Sequence, residues 1–156
     1  MQISAVLVLV LLFQTPVWAK TSDGSCTREQ GLKIEEESAR LNDAQSIYRS
    51  YKRYPQCDDG GIAEGYSESV VRVLAHNWGE IRVFNRLARS DKGFQRFILS
   101  HIDETTTVED LRTVKSNALN RCPSQARRLC HLIGKTVNEA LEEAIEKALN
   151  KRSVRP

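Results

Sequence analysis

Residues 62–89 read IAEGYSESVVRVLAHNWGEIRVFNRLAR. Within them Ile62, Tyr66, Val70, Val73, Leu74, Trp78, Ile81, Phe84 and Ala88 recur at helical steps, and that spacing places all of them on one broad stripe of an α-helix. The stretch predicts a single long helix ending near Arg89, with Gly79 as its weak point because glycine is a poor helix former. Asp58-Asp59-Gly60-Gly61, just upstream, is a turn with a ready N-cap.

The same period extends outward. Residues 35–54 place Ala39, Leu41, Ala44, Ile47, Tyr48 and Tyr51 on one stripe that Pro55 ends. Asp91 caps a short helix built on Phe94, Phe97, Ile98 and Ile102. Thr106-Thr107-Val108-Glu109 reads as a capping box with Thr106 at the N-cap, opening a helix on Leu111, Val114, Ala118 and Leu119. Pro123 and Ser124 mark a last start, and Leu129, Ile133, Val137, Leu141, Ala144, Ile145 and Ala148 carry that helix to about Leu149. With four prolines and eight glycines in 156 residues, the chain lacks the punctuation of an all-β protein. The expectation is an all-α, single-domain bundle of about five helices, each burying its apolar stripe against its neighbours.

The N-terminus carries an address. Residues 1–19 contain no charged side chain, and the apolar run from Ile3 to Phe13 spans roughly 16 Å at ~1.5 Å per residue, about half a membrane's hydrocarbon core. Pro16 stops the run, and Val17 and Ala19 set small residues before Lys20, the pattern of a cleaved export signal. Residues 1–19 are thus read as signal peptide, 20–150 as the helical domain and 151–156 as a disordered basic tail. The mature protein is expected in the periplasm or outside the cell, with no transmembrane anchor and no N-glycosylation sequon. Its 137 residues (156 less 19) keep the whole +3 charge and suffice for one packed core without metal.

Four cysteines, Cys26, Cys57, Cys122 and Cys130, all lie in the mature part, and an even count in an exported chain predicts two disulfides. An unbroken helix from Thr27 to Tyr54 would hold Cys26 and Cys57 about 40 Å apart. Either the segment before Glu37 folds back, or the pairs are Cys26 with Cys57 and Cys122 with Cys130. The favoured expectation is fold-back hinged at Gly31, with Cys57 stapled to the Cys122/Cys130 corner.

Catalytic signals are sparse. His76, His101 and His131 form no His-x-x-x-His or Cys-x-x-Cys ligand pair, so neither metal nor cofactor is expected. His101 beside Asp103 and Glu104 offers a base and an orienting acid, although an imidazole at a helix end more commonly serves the helix terminus. No Gly-x-Ser-x-Gly elbow or Walker loop occurs. Glu139, Glu142, Glu143 and Glu146 fall on an outer helix face, where Glu143 and Lys147 form an i,i+4 pair.

Two charged features stand out. The run from Tyr48 to Tyr54 interleaves tyrosines with Arg49, Lys52 and Arg53, a pattern that suits an anionic ligand but equally a helix C-terminus with tyrosines packed beneath. Arg82, Arg86 and Arg89, spaced by four and three, share a helix face, with Arg96 and Lys92 beyond. Between Arg72 and Arg96 six cations meet only Glu80 and Asp91. Such a face can meet an acidic protein partner or another polyanion, whereas a net charge of +3 argues against dedicated nucleic-acid binding.

From Cys57 to Cys130, the run from Asp58 to Ser67, the segment Phe97-Ile98-Leu99-Ser100-His101-Ile102-Asp103 and Asn120-Arg121-Cys122-Pro123 resemble small exported hypothetical proteins of Gram-negative bacteria, a group that implies no activity. In size, export and helical disulfide style the chain is similar to periplasmic immunity proteins that neutralise type VI secretion effectors, a likeness of architecture that transfers no site residue. The expected function is a non-enzymatic exported binding or protein-interaction module with Arg82, Arg86, Arg89 and Arg96 as its contact surface. The alternative is a carrier of a small apolar ligand held among Tyr66, Trp78, Phe84, Phe94 and Phe97, and an enzyme stands third.

Overall fold

The computed structural model describes residues 25–153; the signal-peptide reading of residues 1–19 and the last three residues of the basic tail lie outside them. The described residues form seven α-helices and no strand: α1 (Arg28–Ser38), α2 (Ala44–Arg53), α3 (Gly60–His76), α4 (Ile81–Ser90), α5 (Lys92–Ser100), α6 (Val108–Asn120) and α7 (Arg127–Ser153). The all-α expectation holds, with seven helices where about five were expected: the helix predicted over 62–89 is split into α3 and α4, and the one predicted over 35–54 is broken at 39–43, its first residues joining α1, which starts upstream at Arg28.

The first split falls at residues 39–43. Asp43 caps α2 by accepting from the Ser46 amide at 2.8 Å, and the Arg72 guanidinium, reaching from α3, donates to the Ala39 and Leu41 carbonyls at 2.8 and 3.1 Å. Those carbonyls belong to a helix end and its turn, which would otherwise lack partners. The start of α1 is marked by a capping box in which Thr27 and Gln30 exchange bonds. The second split breaks the stripe of residues 62–89 at 77–80, around Gly79. Asn117 of α6 donates to the Leu74 and Ala75 carbonyls at 3.0 Å each, and the Trp78 indole donates to the Arg121 carbonyl at 2.9 Å. A side chain from another helix thus accepts the role of the next turn, and α4 starts in a new direction.

Other helix ends match the sequence more closely. Asp59 caps α3, and Gly60, the first residue of the helix, sits at φ +52°, a left-handed conformation that favours glycine. Asp91 caps α5 through the Phe94 amide at 3.0 Å. The cap of α6 is displaced by one residue: Thr107, not Thr106, accepts from the Asp110 amide at 3.1 Å, while Thr106 donates to the Asp103 carbonyl. Thr107→Ala is therefore expected to cost about 1 kcal/mol in a denaturant titration, with Thr106→Ala costing less; the reverse order would put the cap back at Thr106.

The core is continuous. Tyr66, Val70, Leu74, Phe84, Phe94, Ile98, Leu111 and Ile133 are fully buried, and the aromatic residues pack on one another, Tyr66 on Phe97 at 5.0 Å and Phe84 on Phe94 at 6.2 Å between ring centroids. Burial pushes the Tyr66 phenol up to about 12, and its hydroxyl pairs with Ser50 at 2.9 Å. On α3, Gly65 allows α1 to approach so closely that a Cβ there would lie 2.2 Å from the Ser38 hydroxyl.

Both pairs of cysteines are bonded, but not as favoured from the sequence. Cys26 joins Cys57 and Cys122 joins Cys130, with Cα separations of 4.8 and 6.1 Å. Fold-back does occur, but its hinge is the turn between α1 and α2 and not Gly31. That turn returns Cys26 to Cys57, so Cys57 is not available to the distant corner. Because Cys122 and Cys130 close a short connection, α6 and α7 run antiparallel, and Lys147 near the end of α7 reaches Glu104 ahead of α6. Lys147 bonds Glu104 while the charge of Glu143 still acts on it, and the Lys147 bond holds the Glu104 carboxyl below its ordinary value. α7 continues past Asn150 to Ser153.

Candidate functional site

The arginines singled out by spacing stand on α4 and α5, where Ile81, Phe84 and Ala88, with Phe94, Phe97 and Ile98, turn the opposite faces into the core. Arg82, Arg86, Arg89 and Arg96 are all exposed, and among the described residues none of their side chains makes an ion pair or hydrogen bond. The two carboxylates in the same stretch are engaged elsewhere. Glu80 accepts from the Ala44 amide at the start of α2, 3.0 Å away. Asp91 serves the Phe94 amide, Lys52 at 3.3 Å and the Tyr48 hydroxyl at 3.4 Å. The Phe94 amide bond, followed by Lys52, holds Asp91 below the usual carboxylate range, and its charge is engaged with α2 and its own helix start.

Folding adds a second basic segment that the spacing argument passed over. Between Asp110 and Glu139 the chain holds Arg112, Lys115, Arg121, Arg127, Arg128 and Lys135 and no Asp or Glu. A count of carboxylates along the chain would have found it. Asn85 of α4 donates to the Gln125 carbonyl at 3.1 Å, which seats the short turn before α7 against the arginine helix. Together α4, α5 and the start of α7 enclose an open cleft of about 320 Å³, lined by Arg89, Lys92 and Arg128 with the amides Asn85, Gln95 and Gln125. No carboxylate lines it. The opposite sign gathers at α1 and the front of α3, where Glu35, Glu64, Glu68 and Asp110 line a cleft of about 530 Å³ with Arg72 and His76. The cleft beside α4 and α5 is thus lined by cations without a carboxylate, whereas the cleft at α1 and α3 is lined mainly by carboxylates.

The remaining candidates are absorbed by the fold. Tyr48 and Tyr51 pack on Phe94 at 4.8 and 5.4 Å, and Lys52 faces Asp91, so the aromatic and basic run closes a helix against the core. His76 pairs with Asp110 at 2.7 Å. His101 is buried in a chain of four groups: its Nε2 faces Asp58 at 3.2 Å, its Nδ1 faces the Ser67 hydroxyl at 3.1 Å, and that hydroxyl donates to Asp103 at 2.6 Å. The order resembles a catalytic relay, but Ser67 is 1% exposed. Its oxygen is out of reach of a substrate in this arrangement, and the four groups satisfy one another. Among the described residues no cluster of three His, Cys, Asp or Glu side chains is placed to hold a metal ion, and no helix is long and apolar enough to cross a membrane.

Comparison with known proteins finds no matching family model, no matching curated protein and no matching solved structure.

Proposed function

We propose that the protein is an exported, non-enzymatic binding module that docks an acidic protein partner on the basic side formed by α4, α5 and the start of α7. The observation that carries this reading is that Arg82, Arg86, Arg89 and Arg96 are exposed and without ion pairs, while Glu80 and Asp91 spend their charge on other groups. Two disulfides among the described residues fit an oxidising compartment. The carrier alternative has less support, since Tyr66, Trp78, Phe84, Phe94 and Phe97 are buried against neighbours and none of them lines the clefts described above.

Reversal of Arg82, Arg86 and Arg89 to glutamate tests the reading. Exposed unpaired charges contribute little to stability, usually ~0 to 1 kcal/mol each, so the triple variant should fold. The wild-type protein, used as bait at low and moderate salt on the envelope or secreted fraction of its own source, should retain a partner that the variant loses, with capture weakening as salt rises. Identical capture by both proteins would reduce the arginines to a solvated face.

A further inference from the structure

Arg127 and Arg128 are neighbours at the start of α7, yet they serve different clefts. Arg128 lines the one beside α4 and α5, and Arg127 lines a second, about 520 Å³, between α6 and α7. That volume lies within the range of ordinary ligand sites, roughly 300 to 1,000 Å³. Lys115, Arg127 and Lys135 supply its charge, and no carboxylate lines it. Lys135 also pairs with Glu139 at 3.6 Å, but both side chains are exposed and solvent screens the pair. The floor differs from that of the first cleft. It is apolar, built from Ala118, Leu119 and the Cys122–Cys130 disulfide, and Leu119 is 69% exposed.

Gly134 is the informative residue. It lies in the interior of a helix of 27 residues, where glycine is the least favourable residue after proline. Its φ is not positive, and a Cβ added to it would meet nothing within 4 Å. Neither backbone conformation nor close packing therefore calls for glycine at this position. Its missing side chain leaves open space in the cleft that Leu119 also lines.

We infer that the α6–α7 cleft is the anchor point for an acidic peptide segment of the partner, one apolar side chain seated over Leu119 and Gly134 and flanking carboxylates held by Lys115, Arg127 and Lys135. This rests on the reading of the basic side as a protein-docking surface and extends it around the start of α7. Charge complementarity selects an acidic occupant. The apolar floor selects one that also carries a hydrophobic anchor, as buried anchors dominate peptide affinity, and that separates it from a plain polyanion.

The test uses the mature, disulfide-bonded protein and fluorescent peptides of about eight residues, in which aspartates and glutamates surround a central phenylalanine. Binding should be measurable by anisotropy and fall about tenfold or more when glycine replaces that phenylalanine. Gly134→Met, which fills the cleft from within, should weaken the phenylalanine peptide about tenfold while leaving the melting temperature unchanged or raised. Leu119→Ser, at an exposed position, gives the same loss by removing the floor and covers the case in which Gly134→Met disturbs α7. Lys33→Glu, on α1 and outside both basic clefts, should leave peptide binding nearly unchanged. Equal binding of the phenylalanine and glycine peptides, or wild-type affinity in both cleft variants, overturns the inference. So does dodecanoate competing as tightly as the peptide, or preference for phosphatidylglycerol vesicles. The two readings fail separately: loss of partner capture in the Arg82/Arg86/Arg89 variant concerns the arginine face, whereas the peptide series concerns the cleft alone.

Discussion

Replacing Cys26 and Cys57 together by alanine should lower the unfolding free energy by about 4 kcal/mol, and replacing Cys122 and Cys130 by about 2.5 kcal/mol. The difference comes from the unfolded chain. The first bridge spans 31 residues and the second 8, and the conformational freedom removed by a cross-link grows with the logarithm of the loop it closes. The first also holds the N-terminal end of α1, a helix that buries only Ile34 and Ser38, so its loss should release α1 before the rest unfolds. Urea titrations of the two double variants and the wild type, monitored by helical circular dichroism, measure both effects. No free cysteine is present among the described residues, so thiol titration of the unreduced, denatured protein should read zero. A Cys122/Cys130 variant less stable than the Cys26/Cys57 variant would contradict the entropic account.

His101→Ala should be nearly as costly, roughly 3 kcal/mol. The imidazole is 4% exposed and packs edge-on against Phe97 at 4.2 Å and against Tyr66 at 5.5 Å. It also links Asp58, beside the Cys57 bridge, to Ser67 on α3 and through it to Asp103 beyond α5. Alanine opens a cavity beneath Phe97 and Tyr66 and removes both polar links at once. His101→Phe keeps the ring packing and loses only the polar links, so it should cost about half as much, since Ser67 still bonds Asp103 and Asp58 is partly solvated. Equal costs for the two substitutions would assign the whole effect to hydrogen bonding. A His101→Ala variant within about 0.5 kcal/mol of wild type would mean that the four-group chain contributes little.

The candidate surface was half legible. The common face of Arg82, Arg86 and Arg89 follows from their spacing on any helix, and their exposure follows from the apolar residues opposite. That Glu80 and Asp91 would leave them unopposed did not follow in full: the Asp91 cap was local, but Ala44, which Glu80 serves, and Lys52 and Tyr48, which Asp91 also serves, lie about 40 residues away, on α2. The second basic segment was readable as a gap in carboxylates. Its position beside α4 was not, since one bond from Asn85 to the Gln125 carbonyl and the packing of the turn before α7 set it there.

What this sequence determined by itself is the local part of the fold: helices wherever apolar residues recur at three and four, starts at Asp59 and Asp91, an end at Pro55, and an even set of cysteines available for bridges. A short peptide carries those signals because capping and periodicity act within one or two turns. Tertiary structure decided where two long apolar stripes stop being single helices. The carbonyls freed at residues 39–41 and 74–75 are tolerable only because Arg72 and Asn117 arrive from other helices to bond them, and a break with unpaired buried carbonyls would cost too much to persist. The cysteine pairing followed from the first of those breaks. Once the turn between α1 and α2 returns the chain on itself, Cys26 lies beside Cys57, and no residue-spacing argument can bring them together before that turn exists.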